Sequence, residues 1–322
     1  QHNVGTDYYS YIQAATRDDL GAFKLAQFVA DKEYLFAGIV FLSQILEVPQ
    51  MIFFLTALVQ VIPFCIALYQ LKKENLLLAD ALFMYFALSL SFFNQFNGVR
   101  QFAAVNIIFL AAILLFVNPQ KVIPWVLLLI APLLHHAAWF IIIPVALLVV
   151  TQRFYHKLVS QKKWLYICFA VCAVFYFVDI NGIITVLLHR VKLLSGFKNY
   201  IGSSYVEKMT LTEIATKVIK LAAVFYAIFR LDITRLSQFE KKMLTLSYLT
   251  ICVMALSFSS SIVWRIYLFY DLFLMFPVLF FYKYNAHKKE KLLINAYLAT
   301  FLLVKILLLP RGEYLYTSIL WR

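Results

Sequence analysis

Long apolar segments, separated by short connections rich in Lys and Arg, constrain the fold of this chain more than any other feature. A helix that crosses a bilayer needs about 20 apolar residues. The segment 34–46 is apolar but short, which favours a re-entrant or interfacial helix. The segments that approach full spanning length are 49–71, 76–95, 100–117, 164–179, 213–229, 243–260, 263–282 and 292–309. The sequence therefore predicts an all-α polytopic membrane protein with about ten transmembrane or re-entrant helices.

The apolar segment 122–150 is too long for one ordinary span and too short for two. It contains Pro124 and Pro132, and the pair His135-His136 lies near its middle. Proline in a helix interior removes a hydrogen bond and breaks or kinks the helix. We therefore predict two short helices that meet at the histidine pair and return the chain to the side from which it entered.

Composition supports a membrane protein and argues against a nucleic-acid partner. The chain is 63% hydrophobic and 14% charged, which lies outside the usual range of soluble domains. The formal charge of +13 comes from residues that punctuate apolar segments, and no basic arm interleaved with aromatic residues appears. We predict a single integral membrane domain over residues 1–322. The chain opens at Gln1 without a signal-peptide pattern, so we also expect an upstream membrane helix.

The distribution of Lys and Arg predicts an orientation, because short cytoplasmic loops carry an excess of these residues. Of the 29 Lys and Arg, 15 lie in the connections 72–75, 118–121, 151–163, 230–242 and 283–291. We place these connections inside. The outside then receives an extracytoplasmic N-terminal segment, 1–32, the histidine pair and an extracytoplasmic loop, 180–212.

Several cations contradict this bias and lie near the predicted outer face. An arginine at the mouth of a membrane helix is costly unless it faces protein, water or an anion, and Arg100 and Arg265 share a narrow depth with the histidine pair. Three lysines lie within helices near the outer end, and each either snorkels to headgroups or lines an outer cavity: Lys217, Lys220 and Lys305. A water-filled cavity with these groups suits an anion such as a diphosphate.

Three patches of sequence resemble the EpsG-type branch of the Wzy-like bacterial polysaccharide polymerases. The first is Gly5-Thr6-Asp7-Tyr8-Tyr9, followed by Glu33 at the start of an apolar segment. The second is Gly98-Val99-Arg100-Gln101, followed after one span by His135-His136-Ala137-Ala138, and the third is Arg265-Ile266-Tyr267. The patches cover roughly residues 1–140 and 260–320. One departure is Ala137, where the family pattern has a serine.

This resemblance implies a glycosyltransferase of GT-C-like architecture in the bacterial plasma membrane, with its active site facing the periplasm or outside. The implied reaction transfers a growing glycan from undecaprenyl diphosphate to an incoming lipid-linked repeat unit, as in the synthesis of O-antigen, capsule or exopolysaccharide. The implied partners are undecaprenyl-diphosphate-linked oligosaccharides, the lipid bilayer and a chain-length regulator.

The reaction makes demands that particular residues meet. A leaving diphosphate needs fixed cations, and arginine provides a permanent charge and a forked set of donors. We predict Arg100 and Arg265 as diphosphate ligands; the alternative is that each arginine holds helices together through an ion pair. Further candidates for substrate binding are Gln101, His136, Arg190, Lys305 and Arg311.

The acceptor hydroxyl needs a base, and His135 is the first candidate because imidazole titrates near neutral pH. Its alternative role is to satisfy backbone groups at the helix break. Asp7 and Glu33 are alternative bases, unless they act as solvated or capping groups. Asp271 lies off the helical face of Arg265, so we expect it to have a partner within the bundle. The sequence has no Asp-x-Asp pair and no metal-ligand spacing of cysteines, so we predict no metal and no cofactor.

Two other functions remain open. An O-antigen ligase would use the same donor with a different acceptor. A transporter or flippase would move the lipid-linked unit without lengthening it, although such folds usually contain internal repeats and this sequence contains none that we detect.

Overall fold

The computed structural model describes residues 7–89, 91–96, 98–151, 162–178, 186 and 208–308. Every regular element in these ranges is helical. The chain divides into two compact units, 1–145 with 295–322 and Ala146–Ile294, and each is described by itself. The prediction of one membrane domain stays a prediction.

Unit 1 is built around one buried helix, α7. Its helices are α1 (Tyr8–Ala14), α2 (Asp19–Ala30), α3 (Tyr34–Ile45), α4 (Met51–Lys73), α5 (Leu78–Met84), α6 (Ser91–Asn94), α7 (Val99–Val117) and α8 (Val122–Leu134), with part of α9 (Trp139–Val150). Helix α7 packs against α4 and α8, and α3 packs against α2, α4 and α8. Helix α7 is apolar apart from Arg100, Gln101 and Asn106, and it is buried almost throughout.

The predicted break at the histidine pair is confirmed. Helix α8 ends at Leu134, His135 is extended with φ of −155°, and a short 3₁₀ turn covers His136–Ala138 before α9 begins. Pro132 lies in the last turn of α8, where it cannot support a longer helix. Whether the two halves return to the same side of a membrane stays a prediction.

Unit 2 contains α10 (Lys163–Val174), α11 (Leu211–Arg230), α12 (Gln238–Leu256), α13 (Ser261–Tyr267) and α14 (Phe276–Tyr284), with part of α15 (Lys288–Leu308). Capping boxes begin two of these helices: Thr210 with Glu213 for α11, and Ser237 with Glu240 for α12. Such boxes satisfy backbone N–H groups that have no partner within the helix. Helix α12 packs against α10, α13 and α14.

Two predicted spans are interrupted. In 76–95, a π-helical turn at Tyr85–Ser89 separates α5 from α6. In 263–282, α13 ends at Tyr267, and a 3₁₀ turn at Asp271–Met275 precedes α14.

Three helices in the described part of the chain are long and apolar enough to cross a membrane: Met51–Lys73, Val99–Val117 and Gln238–Ser259. Shorter apolar helices include Tyr34–Ile45 and Val122–Leu134. These helices fit a membrane protein. The count of about ten membrane helices stays a prediction.

Candidate functional site

Glu33 lies in the turn between α2 and α3, and its side chain is completely buried (0% exposed). The preceding Lys32 is left-handed, with φ of 63°, a conformation that costs non-glycine residues about 1–2 kcal/mol. Glu33 occupies the N-cap position of α3, but its side chain makes no capping hydrogen bond. The carboxylate instead contacts Arg100 and His136, which lie 67 and 103 positions further along the chain. Glu33 is therefore the centre of a long-range contact set.

Arg100 lies in the first turn of α7 and donates a hydrogen bond from its guanidinium to Oε2 of Glu33. The guanidinium carbon lies 4.9 Å from the ring centre of Phe28 and 5.4 Å from that of Phe36. Both distances fall within the range of a cation–π interaction. Arg100 therefore connects α7 to α2 and α3 through charge and ring contacts together.

Tyr11 also lies beside the guanidinium of Arg100. Its buried hydroxyl lies within hydrogen-bonding reach of Arg100, and burial raises the pKa of Tyr11. Its ring meets that of Phe36 edge to face, with centroids 5.8 Å apart. At neutral pH Tyr11 is therefore an uncharged phenol beside the guanidinium.

The two histidines present their rings to the other oxygen of Glu33. His136 approaches Oε1 with both its backbone nitrogen, at 3.2 Å, and its Nδ1, at 3.0 Å. The Nδ1 of His135 lies 3.3 Å from the same Oε1. Both imidazoles are about one-fifth to one-quarter exposed. The helix break at residue 135 makes this possible, because consecutive residues in a continuous helix point in directions about 100° apart.

We call Glu33, Arg100, His135 and His136 the Glu33 cluster. Burial alone would raise the pKa of Glu33, but the charges of His135 and Arg100, with the hydrogen bond from His136, outweigh it and hold that pKa at about 2. Glu33 is therefore ionised at neutral pH. The cluster can hold imidazoles and a guanidinium in fixed positions, as hydroxyl activation and anion binding both require.

Glu33, His135 and His136 also offer three potential metal-ligand atoms within 4.8 Å of one another. The second oxygen of Glu33 carries the guanidinium of Arg100. The prediction of a site without metal is untested by these contacts.

The other predicted site residues of unit 1 differ in how deeply they are buried in the protein. Asp7 precedes α1 and is exposed, whereas Gln101, beside Arg100 on α7, is buried. Lys305 is partly buried in the last turn of α15. Of the predicted site residues, the structure thus brings together Glu33 with Arg100 and the histidine pair.

Unit 2 carries Arg265, which is partly buried on α13. Its proximity to Arg100 stays a prediction, because the two residues belong to different units. Arg190 and Arg311 lie outside the described residues.

The expected partner of Asp271 is confirmed. Asp271 accepts a hydrogen bond from the hydroxyl of Tyr267, and the Nζ of Lys220 lies 3.3 Å from its Oδ1. Lys220 is only 4% exposed, so snorkelling to headgroups is wrong for this lysine. Lys217, one turn earlier on α11, lies with its Nζ 4.1 Å from the ring centre of Trp264.

Sequence reasoning did not single out the aromatic residues around Arg100. The sequence offers Tyr11 only as one of five unranked tyrosines for sugar binding, with Tyr8, Tyr200, Tyr205 and Tyr314, and Phe28 and Phe36 have the pattern of ordinary apolar positions. The only local signal is the spacing of Phe28 and Phe36 on either side of Glu33. Their contact with the guanidinium depends on a helix that begins more than 60 residues later.

Comparison with known proteins identifies the family. The profile of the EpsG family matches residues 1–318, which include every residue of the Glu33 cluster. No curated protein and no solved structure matches the chain. Because the match spans nearly the whole sequence, this protein belongs to the EpsG family.

Proposed function

We propose that this protein is a polysaccharide polymerase of the bacterial plasma membrane, with a GT-C-like architecture and an active site that opens to the outside. It transfers a growing glycan from a polyprenyl diphosphate, such as undecaprenyl diphosphate, to a lipid-linked repeat unit. The observation that carries the proposal is the Glu33 cluster: a buried, ionised carboxylate that holds a guanidinium and two imidazoles in a member of the EpsG family.

In the proposed step, a sugar hydroxyl of the incoming unit attacks the anomeric carbon of the growing glycan. The new glycosidic bond forms as the bond from that carbon to the diphosphate oxygen breaks. The leaving diphosphate keeps the electron pair, and the hydroxyl proton passes to a histidine of the cluster. The products are a glycan longer by one unit and a free polyprenyl diphosphate.

Arg100 serves the leaving group in this proposal. One guanidinium nitrogen engages Glu33, and arginine has five N–H donors in total, so the same side chain has donors left for a phosphate oxygen. Arg265 of unit 2 is proposed as the second cation on the diphosphate. Fixed charges that meet developing negative charge lower the barrier without reorganisation.

The test uses purified protein in proteoliposomes with a synthetic polyprenyl-diphosphate oligosaccharide that carries a fluorescent label. The native protein should produce a ladder of longer glycans that are still attached to the lipid. Arg100→Ala should slow lengthening by about 100-fold or more, the usual effect of losing one transition-state donor. Arg235→Ala is the matched control, because Arg235 is mostly exposed and its contacts are with nearby Asp232 and the carbonyl of Tyr284 in unit 2.

Three results would refute the proposal. The labelled lipid could cross the bilayer without lengthening, which would indicate a flippase. A single transfer to a different acceptor without a ladder would indicate a ligase. An unchanged ladder from a well-folded Arg100→Ala protein would remove the arginine from the reaction.

A further inference from the structure

The geometry of the Glu33 cluster points to a division of labour between its two histidines. We infer that Glu33 is a positioning residue that holds the imidazole of His135 with Nδ1–H toward the carboxylate, so that Nε2 of His135 takes the proton from the acceptor hydroxyl. The inference rests on the proposed function and deepens it by assigning the base and the group that orients it.

The first argument is the identity of the atoms in contact. An ionised carboxylate only accepts hydrogen bonds, and Oε1 of Glu33 lies 3.3 Å from Nδ1 of His135 and 3.0 Å from Nδ1 of His136. Each contact is favourable only if the nitrogen carries a hydrogen. A neutral imidazole with its hydrogen on Nδ1 has its lone pair on Nε2, which is the atom that can act as base.

One competing contact has to be weighed. The backbone N–H of Ala137 donates to Nδ1 of His135 at 3.4 Å as a cap of the 3₁₀ turn, and this hydrogen bond requires the lone pair on Nδ1 instead. Both this distance and the 3.3 Å between Nδ1 and Glu33 lie just beyond the usual 2.7–3.2 Å for nitrogen donors, so distance does not separate the two contacts. However, a hydrogen bond to a charged acceptor is roughly twice as strong as a neutral one. The carboxylate therefore decides the tautomer of His135.

The second argument separates the two histidines. His136 is bound to Glu33 through its backbone and its ring, and its Nε2 is buried. His135 contacts Glu33 through its ring; the two rings are similarly exposed, at 19% for His135 and 24% for His136, so the buried Nε2 of His136 is what separates the two histidines. His136 therefore anchors the carboxylate, and His135 is the imidazole placed to meet a substrate.

The third argument excludes Glu33 itself as the base. Its side chain is completely buried, and Arg100 occupies its second oxygen. Glu33 therefore cannot approach a hydroxyl without breaking the contacts that define the cluster.

Other charged groups act on the same imidazoles. Asp31 at the end of α2 interacts electrostatically with His136 and Glu33, and Arg100 lies on the far oxygen of Glu33. Glu33→Gln removes the charge of the carboxylate and leaves the charges of these neighbours unchanged, so the variant tests the charge of Glu33.

The first experiment is the rate–pH profile of glycan lengthening. A carboxylate beside an imidazole favours the protonated ring, so Glu33→Gln should move the acidic limb of the profile to lower pH. It should also lower kcat about 10-fold or more and leave KM for the lipid-linked donor unchanged. His135→Asn should abolish lengthening, whereas His136→Asn should retain slow lengthening. Glu47→Gln is the matched control, because Glu47 is exposed and pairs with Arg17 at the surface of unit 1.

The second experiment needs no variant to fold and does not depend on activity. Nitrogen-15 NMR of labelled histidine in the native protein should show His135 as the Nδ1–H tautomer when it is neutral. An Nε2–H tautomer for His135 would overturn the inference. The inference would also be overturned if the acidic limb of the rate–pH profile stayed at the same pH in Glu33→Gln. Unimpaired lengthening by His135→Asn would overturn it as well.

Loss of lengthening in a chelator, restored by a divalent cation, would instead assign the three cluster donors to a metal and overturn the inference. A native protein that lengthens no lipid-linked glycan would refute the proposed function and with it the base. The NMR measurement would then still decide whether Glu33 sets the tautomer.

Discussion

At the scale of single residues, the Glu33–Arg100 pair shows a balance between burial cost and mutual attraction. A charge that loses its water is strongly penalised unless its partners replace every lost hydrogen bond. Glu33 meets that condition with one guanidinium, one backbone N–H and two rings on its two oxygens. The rings of Phe28 and Phe36 also lie within cation–π distance of the Arg100 guanidinium. The arrangement therefore favours a fixed geometry.

The pKa of Glu33 gives a stability prediction. Its folded value of about 2 lies below the ordinary 4.5, so the contacts of Glu33 with His135, Arg100 and His136 together contribute about 3 kcal/mol to the free energy of unfolding at pH values above about 4.5. That contribution is lost as the pH falls from about 4.5 toward 2, because the unfolded chain binds the proton first. Denaturant unfolding in detergent measures the difference in the free energy of unfolding between the native protein and Glu33→Gln, and this difference should shrink over the same pH range. For Glu47→Gln the difference should stay small at every pH. A pH-independent difference for Glu33→Gln would contradict the assigned pKa.

The sequence predicts the role of a residue where its type is unusual for its local surroundings. It does not predict a role that depends on contacts with distant parts of the chain. Arg100 and His135 stood out because charge and imidazole are unusual beside apolar segments. Glu33 was only an alternative base, because no local pattern reveals partners 67 and 103 positions away. Lys220 illustrates the same limit: its partner Asp271 lies 51 positions on.

At the scale of elements, the interrupted helix of unit 2 shows how irregular backbone is tolerated within an apolar bundle. At the break between α13 and α14, the carbonyls of Tyr270 and Phe273 accept from backbone N–H groups three residues further on, in place of the four of a continuous α-helix. Ser247 of α12 donates from its Oγ to the carbonyl of Phe273 at 2.6 Å, and Thr250 lies 3.2 Å from that of Tyr270. Side-chain hydroxyls of a neighbouring helix are a known means of satisfying such groups. The length and hydropathy of 263–282 predicted a span, but the break depends on these contacts with α12.

Removing one such hydroxyl should destabilise unit 2. Ser247→Ala removes one of two donors to the buried Phe273 carbonyl and leaves the backbone N–H of Phe276, which should cost about 0.5–1.5 kcal/mol. Ser257→Ala is the control, because Ser257 follows the last residue of α12 and its Oγ donates to the carbonyl of Met254, three residues earlier in the chain. Thermal or denaturant unfolding in detergent compares the two variants. Equal losses of stability would show that the contact across the break contributes nothing.

At the scale of the whole molecule, the helical content was predictable, because long apolar segments and the short basic connections between them can be recognised without knowledge of distant contacts. The predicted helices match those of the structure to within a few residues for Val99–Val117 and Met51–Lys73. The side of the membrane on which the Glu33 cluster opens is a separate matter. It rests on the distribution of Lys and Arg, and it stays a prediction.

Cysteine labelling tests that orientation. In a variant with the four native cysteines replaced by alanine, Asp19→Cys should react with a membrane-impermeant maleimide added to intact cells. Lys121→Cys should react only after the cells are permeabilised, because its connection belongs to the basic set predicted inside. Both positions are exposed, so access to the reagent depends only on the side of the membrane. The reverse labelling pattern would place the Glu33 cluster in the cytoplasm.

The burial of α7 has a consequence for how the bilayer influences the site. Within the apolar window of α7, 83% of residues are enclosed by protein, against 39% for α4. Neighbouring helices therefore fix the position of the guanidinium at the start of α7, whereas α4 has more of its surface outside the protein. If these helices span a bilayer, a change in acyl-chain length should act on α4 before it acts on the Glu33 cluster. Such insulation suits the proposed reaction, in which the substrate is itself a lipid.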